Sequence, residues 1–166
     1  QISSAIDLFS KGEINQALDA VQDLLKDYPN EPVLFNIKGA CYADLGQLDV
    51  AVTNYKEAIT IKPDYAKAHF NLAGSLHDLG QLETAVQSYQ KAIEIDASYA
   101  EAYNNLGNVY QELKQVDSAV QSYQKALEIK PDYVAAQYSL GNTFMELGQL
   151  EEAVKSYKAA LKLKPD

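Results

Sequence analysis

The side chains that could react or hold a metal are few in this sequence. They are one cysteine, Cys41, and two histidines, His69 and His77. A metal site needs several His, Cys or carboxylate ligands that converge, and the sequence has no such spacing. It also has no Ser–His–Asp or Cys–His arrangement and no glycine-rich phosphate loop ahead of a helix. We therefore predict that the protein is not an enzyme and that it has no catalytic residue, no metal and no cofactor.

The chain is organised by a 34-residue period, and the repeated elements would position any functional site. It appears in the closing prolines, Pro29, Pro63, Pro131 and Pro165. It appears again in a column of alanines, Ala17, Ala51, Ala85, Ala119 and Ala153. No insertion or deletion interrupts the period. It divides the chain into a partial repeat, 1–31, and the repeats 32–65, 66–99, 100–133 and 134–166.

Each repeat is predicted to be a pair of helices. Apolar residues recur three and four positions apart, as in Leu106, Val109, Tyr110 and Leu113, which is helical spacing. Leu-Gly-Gln-Leu turns at 45–48, 79–82 and 147–150 separate the helices, and glycine suits a left-handed helix end. The repeat 100–133 has Lys114 at the glycine position. If Lys114 adopts the same angles, it costs roughly 1 kcal/mol relative to glycine.

The repeat carries a recognisable set of residues: Tyr103, Leu106, Gly107, Tyr110, Ala119, Tyr123, Ala126 and Pro131. In order and spacing they resemble the tetratricopeptide pattern, and the resemblance covers essentially the whole chain. It implies an all-α fold, a right-handed superhelical solenoid of antiparallel helix pairs that forms a single domain, 1–166. It also implies that first helices line a concave groove and second helices form the convex back.

Small and large residues alternate between the two helices in a complementary way. The first helix carries Ala5, Gly39, Ala73, Gly107 and Gly141, whereas the second carries Tyr55, Tyr89, Tyr123 and Tyr157. We expect the small residues to let the helices approach closely, and we expect large substitutions there to cost about 1–3 kcal/mol. Cys41 shares a repeat position with Ser75, Val109 and Thr143, so it is predicted to be a small buried side chain.

The first helices supply the candidate peptide-binding residues of the implied groove: Asn36, Lys67, Phe70, Asn71, His77, Asn104, Asn105, Asn108, Gln111, Tyr138 and Asn142. An Asn amide both donates and accepts, so it can pair with the backbone of any extended peptide. Asn71 and Asn105 stand one repeat apart, and this partial row is similar to the asparagine row of the O-linked N-acetylglucosamine transferase superhelix. The alternative is that these amides only solvate an exposed helix face.

A second binding mode of similar domains fits this sequence less well. It holds a C-terminal carboxylate with Lys, Asn and Arg side chains from three repeats. Lys67 and Asn71 share one repeat, but all fourteen basic residues are lysine. Without arginine the usual bidentate fork for a carboxylate is missing, so we do not expect carboxylate clamping of this kind.

The formal net charge of −9 at pH 7 restricts the partners. It argues against a nucleic-acid backbone and an anionic membrane, and it favours a basic or neutral polypeptide. No apolar stretch is long enough to cross a bilayer. Together with the single cysteine, this indicates a reducing, cytoplasm-like location.

The two ends of the chain differ in character. The partial repeat 1–31 is rich in acidic residues and is interpreted as a solvated end. The last helix is expected to expose Val154, Tyr157, Leu161 and Leu163, which predicts either a longer parent protein or end-to-end stacking into a homo-oligomer. The leading functional hypothesis is a non-catalytic scaffold that binds an extended peptide or a partner helix. The alternatives are a self-associating assembly module and the substrate-recruiting arm of a larger glycosyltransferase or sulfotransferase.

Overall fold

The computed structural model describes residues 2–163, and every regular element in that range is an α-helix. The all-α prediction is therefore confirmed. The helices are α1 (Ile2–Ser10), α2 (Ile14–Asp27), α3 (Pro32–Asp44), α4 (Leu48–Ile61), α5 (Ala66–Asp78), α6 (Leu82–Ile95), α7 (Ala100–Glu112), α8 (Val116–Ile129), α9 (Val134–Glu146) and α10 (Leu150–Leu163).

The chain divides into two compact units, residues 1–88 (unit 1) and 89–166 (unit 2), and the boundary falls within α6. In unit 1 the first helices α1, α3 and α5 contact one another in sequence, and α4 contacts both α3 and α5. In unit 2 the first helices α7 and α9 contact each other, while α8 contacts both of them. Each unit therefore repeats one arrangement, in which successive first helices are neighbours.

A glycine lies against the ring of Tyr55, of Tyr123 and of Tyr157, and it lets the paired helices approach closely. An ideal Cβ built on Gly39 would lie 2.6 Å from the Tyr55 ring, and one built on Gly107 would lie 2.6 Å from the Tyr123 ring. At Gly141 the distance to the Tyr157 ring is 2.7 Å. Non-bonded carbon atoms do not approach one another this closely. A larger side chain at these three positions would therefore collide with the tyrosine ring, as the small-residue pattern predicted.

The turns between the paired helices need a left-handed residue. Gly46, Gly80 and Gly148 have φ between 72° and 73°, and Lys114 has φ 60° at the equivalent position. A side chain with a Cβ is strained in this region of backbone space. Lys114 therefore adopts a backbone conformation that is strained for lysine and unstrained for glycine.

Replacing Lys114 by glycine is expected to raise the free energy of unfolding by about 1 kcal/mol, since the strain is relieved without loss of a contact. Urea unfolding followed by circular dichroism measures the change. The matched control is Gly80→Lys, which places the same side chain on an equivalent turn and is expected to lower stability by about the same amount. An unchanged midpoint in both variants would show that the turn stores no strain.

Candidate peptide-binding site

A cleft of about 420 Å³ lies in unit 1 among the first helices. Tyr55 from α4 and Tyr65 from the turn before α5 complete it. The remaining lining residues belong to α1, α3 and α5: Ile6, Phe9, Val33, Asn36, Ile37, Ala40, Ala43, Asp44, Lys67 and Asn71. The apolar side chains of this set form most of the surface, while amides and two charged groups provide its polar part.

Packing and hydrogen bonds fix the amides of the unit 1 cleft. Asn71 donates from Nδ2 to Oδ1 of Asn36 at 3.0 Å, which joins α5 to α3. Asn36 is only 8% exposed, whereas Asn71 is half-buried. An Asn amide has two donor hydrogens and two acceptor lone pairs, so Asn71 keeps hydrogen-bonding capacity beyond this one bond.

The charged side chains of the cleft are Asp44 and Lys67. Both are exposed, and the ammonium of Lys67 lies 5.1 Å from the centre of the Phe70 ring, which holds it against an apolar surface. Burial raises the pKa of the Tyr55 hydroxyl, and the negative charge of Asp44 adds to that increase. Tyr55 is therefore a neutral part of the cleft wall at physiological pH.

In unit 2 some of the first-helix amides accept hydrogen bonds from tyrosines of the second helices. The Tyr123 hydroxyl lies 2.8 Å from Oδ1 of Asn108 and 3.1 Å from Oε1 of Gln111. One repeat later, the Tyr157 hydroxyl donates to Oδ1 of Asn142 at 2.6 Å. The amides therefore hold each helix pair together, a role that the sequence interpretation did not assign to them.

Asn104 is the most enclosed of these amides. It is 5% exposed, and it donates from Nδ2 to Oδ1 of Asn105 at 3.2 Å. Its own Oδ1 is buried and has no hydrogen-bond partner within the described residues. Asn36 and Asn104 are both buried, so neither amide solvates an exposed helix face.

The structure brings together part of the predicted site. Asn36, Lys67 and Asn71 line the unit 1 cleft, whereas Phe70 and His77 of the same unit are absent from its lining. The predicted residues of unit 2 are Asn104, Asn105, Asn108, Gln111, Tyr138 and Asn142. Tyr138 is 57% exposed there, with its ring centre 5.7 Å from that of Tyr157.

The candidate set lacks further lining residues of the cleft, among them Ile6, Phe9, Tyr55 and Tyr65. The sequence interpretation treated the segment 1–31, which carries Ile6 and Phe9, as a solvated end. The 34-residue period could have identified Ile6 and Phe9 as groove residues. Three periods later, Ile6 and Phe9 correspond to Asn108 and Gln111, which had been placed in the groove.

Cys41 and His69 are both buried, and the repeat position of Cys41 predicted its burial. Cys41 is fully buried in the unit 1 core. His69 is 9% exposed, and its Nε2 lies 2.9 Å from the carbonyl oxygen of Pro63. Within residues 2–163 no group of three or more His, Cys, Asp or Glu side chains is placed to hold a metal ion.

Burial raises the pKa of the Cys41 thiol to about 11, and the nearby charge of Asp44 contributes. At pH 8 its thiolate fraction is then about 100-fold lower than that of an unfolded cysteine. We expect labelling by a disulfide reagent to be slower by at least that factor than in urea. Because the folded pKa is the higher one, the thiol stabilises the fold below about pH 9, and this contribution is lost as pH rises toward 11.

The matched control for Cys41 is a Cys41→Ser, Gln121→Cys variant, which moves the thiol to an exposed position on α8. It is expected to react at the rate of a free thiol. Labelling of native Cys41 at that same rate would contradict its burial.

A further apolar hollow of about 320 Å³ lies on the surface formed by α9 and α10 in unit 2. It is lined by Val134, Tyr138, Tyr157, Ala160 and Leu161. Its lining is almost wholly apolar, in contrast to the mixed lining of the unit 1 cleft. None of the helices in the described range 2–163 combines the length and apolar character needed to span a bilayer.

Two family models match the sequence of this chain. One is described as "TPR repeat" and matches 39–78 and 74–114; the other is described as "Tetratricopeptide repeat" and matches 100–133 and 134–166. The Peroxisomal targeting signal receptor of Candida glabrata is 29% identical over 75 residues, which are 45% of this chain and 13% of that protein. The Hsp70-Hsp90 organizing protein 2 of Arabidopsis thaliana is 34% identical over 59 residues, 36% of this chain and 10% of that protein.

Solved structures cover nearly the whole chain. A crystal structure of MamA aligns with a TM-score of 0.87 at 29% identity, over 97% of this chain and 94% of that one. Pseudomonas aeruginosa pilF aligns with a TM-score of 0.91 at 18% identity, over 97% of this chain and 73% of that one. The matched segments make up only 13% and 10% of the two curated relatives named above.

Proposed function

Because this chain belongs to the tetratricopeptide-repeat family, we propose that it is a non-catalytic protein-interaction module that binds an extended peptide in the unit 1 cleft. The observation that carries the proposal is the cleft itself. Helices α1, α3 and α5 place apolar side chains and partly free amides on one continuous surface. Two of the relatives are named as a targeting-signal receptor and a chaperone organizer, which is in keeping with a protein-binding role.

The cleft lining favours a peptide with an apolar anchor residue. Ile6 is 42% exposed and lies with Phe9 and Val33 along the cleft, where a buried apolar side chain gains about 25 cal/mol per Å² removed from water. The anchor is therefore expected to supply most of the binding free energy. Peptides without an apolar residue are expected to bind weakly.

Asn71 is suited to bind the peptide backbone beside that anchor. Its amide already bonds to Asn36, which holds it in one orientation before a ligand arrives, and a preorganised group loses less entropy on binding. Lys67 and Asp44 provide one charge of each sign at the rim, so we expect neutral and basic peptides to be tolerated better than strongly acidic ones, given the net charge of −9.

The test is selection of peptides from a random library on the 166-residue chain, followed by calorimetry of the hits. We expect Ile6→Asp to weaken binding about tenfold, because a charge replaces an exposed apolar contact, and Asn71→Ala to weaken it severalfold. The matched control Val50→Asp introduces the same charge at a residue of α4 that is 39% exposed and absent from the cleft lining. It is expected to leave affinity unchanged.

Two outcomes would count against the unit 1 cleft. Hits that bind Ile6→Asp and Asn71→Ala as tightly as the original chain would place the peptide elsewhere. If Asn105→Ala alone reduced affinity, the site would lie in unit 2. Amidation of the peptide C-terminus is expected to have no effect, because the lysine-only chain lacks the arginine fork for a carboxylate.

A further inference from the structure

The unit 1 cleft runs along the length of α3. Val33, Ile37, Ala40 and Asp44 line it, and they follow one another four, three and four positions apart, up to the last residue of the helix. Residues with this spacing lie along one side of a helix. Val33 and Asp44 stand eleven residues apart, which is about 16 Å along the helix axis. The cleft is therefore long enough for about five residues of an extended peptide.

The two charged residues of the cleft lie at its opposite ends. Turns of three and four residues join α4 to α3 and to α5, and helices joined by such short turns run antiparallel. Because α4 is antiparallel to both neighbours, α3 and α5 run in the same direction. Asp44 is the last residue of α3, whereas Lys67 is the second residue of α5. Asp44 therefore marks the C-terminal end of the cleft, and Lys67 marks the N-terminal end.

Both charges stand at helix ends where the helix dipole disfavours them. The C-terminus of a helix carries a partial negative charge, and its N-terminus carries a partial positive charge. Asp44 adds an anion to the end of α3, and Asp78 does the same at the end of α5. Lys67 adds a cation to the beginning of α5, whereas α7 has Glu101 at the equivalent position. Since side chains and dipoles have the same sign at each end, the cleft has a negative end and a positive end.

The charges of Asp44 and Lys67 remain available to a ligand. Both side chains are exposed, and within residues 2–163 neither of them forms an ion pair. Glu31 belongs to the N-terminal end of α3, but its carboxylate accepts a hydrogen bond from the Val33 amide at 3.3 Å and is absent from the cleft lining. Lys67 is therefore the charge that the lining presents at that end.

We propose that the unit 1 cleft selects peptides that carry opposite charges on the two sides of an apolar anchor, with a basic side chain beside Asp44 and an acidic side chain beside Lys67. This inference rests on the proposed function, because it concerns the same peptide in the same cleft. The length of the cleft places the two charged residues about five positions apart in an extended peptide. The anchor supplies most of the affinity, whereas the charges discriminate between peptides with similar anchors.

Four synthetic peptides test the selection. They share the apolar segment of the strongest library hit, are blocked at both termini, and carry two charged residues five positions apart. Two are mixed, with Lys and Glu in either order; one is basic, with two Lys; and one is acidic, with two Glu. Calorimetry at about 0.15 M salt, where distant charges are screened, gives the four Kd values. The tighter mixed peptide is expected to bind roughly threefold better than the basic and the acidic peptide.

Charge reversals at the ends of the cleft are expected to change this ranking. Lys67→Glu makes both ends negative, so the basic peptide is expected to bind best. Asp44→Lys makes both ends positive, so the acidic peptide is expected to bind best. Each reversal is expected to change the ratio of the Kd values about fivefold to tenfold, because an attraction becomes a repulsion. The double variant has one charge of each sign again, and the tighter mixed peptide is expected to bind it best.

The matched controls are Lys56→Glu and Glu57→Lys. They make the same changes in net charge at exposed residues of α4 that are absent from the cleft lining. Both are expected to keep the ranking of the original chain. Circular dichroism of every variant checks that the helices remain folded.

The same measurements separate this inference from the proposed function. If Ile6→Asp weakens all four peptides but the ranking ignores Asp44 and Lys67, the cleft binds the anchor and only the charge selection is wrong. Controls that change the ranking as much as the cleft variants would show that net charge decides it, which also overturns the selection. If no peptide binds, or if Ile6→Asp affects none of them, the proposed function fails and this inference fails with it.

Discussion

Replacing Tyr123 by alanine is expected to lower the free energy of unfolding by about 3–5 kcal/mol. The Tyr123 side chain is fully buried between α7 and α9, where it belongs to the unit 2 core. Truncation removes the apolar contacts of the ring, leaves a cavity, and deprives Asn108 and Gln111 of the hydroxyl that they contact. Urea unfolding monitored by far-ultraviolet circular dichroism gives the change directly.

Two further variants separate the contributions of Tyr123. Tyr123→Phe keeps the ring and removes the hydroxyl, so it is expected to cost only about 1 kcal/mol, the net value of a typical hydrogen bond. Tyr28→Ala is the exposed control, since Tyr28 is 47% exposed at the end of α2, and it is expected to cost less than about 1 kcal/mol. Similar losses for Tyr123→Ala and Tyr28→Ala would contradict the packing described here.

Replacing Gly107 by valine is expected to lower the free energy of unfolding by about 2–3 kcal/mol. The Cβ alone would lie 2.6 Å from Cε1 of Tyr123, and the ring is enclosed and unable to move aside. Helix propensity offsets a small part of this loss of stability, because valine is a better helix former than glycine by a few tenths of a kcal/mol. The expected loss is therefore due to overpacking, and the unfolding free energy from urea titration measures it.

The control for Gly107→Val is Ala135→Val, which places the same β-branched side chain on an exposed face of α9. It is expected to cost about 0.5 kcal/mol, the difference in helix propensity. The double variant Gly107→Val, Tyr123→Ala tests the contact itself. Because the valine then fills part of the cavity, the double variant is expected to be at least about 1 kcal/mol more stable than the sum of the single changes. Simple additivity would show that the two residues do not interact.

The asparagines illustrate why residue type did not reveal their roles. On the sequence, Asn36, Asn71, Asn104 and Asn108 were all candidates for peptide contacts. In the structure Asn36 pairs with Asn71, Asn104 with Asn105, and Asn108 with a tyrosine hydroxyl. An amide can satisfy a neighbouring helix or a ligand with the same atoms, so only the distances between helices show which partner it has.

The repeat period by itself determined the helix pairs, the turn positions and the small-residue seats. These features are local, because helical spacing, a left-handed turn and the contact of one glycine with one tyrosine all occur within a single repeat. Lys114 shows how far this extends: its departure from glycine was visible in the sequence, and its φ of 60° follows from the turn geometry. The sequence also predicted exposed side chains on the last helix: Val154, Leu161 and Leu163 are exposed, whereas Tyr157, predicted with them, is half-buried.

Only the tertiary structure decided where a cleft forms and which amides line it. The cleft combines Ile6, Val33, Lys67 and Tyr65 from three successive repeats, and their relative depth depends on how successive helices pack. The sequence specifies the period of that packing but not the residual space between side chains. The period can be read from the spacing of residues along the chain. A cleft is the volume that remains after all neighbouring side chains have packed, so it depends on residues that are distant in sequence.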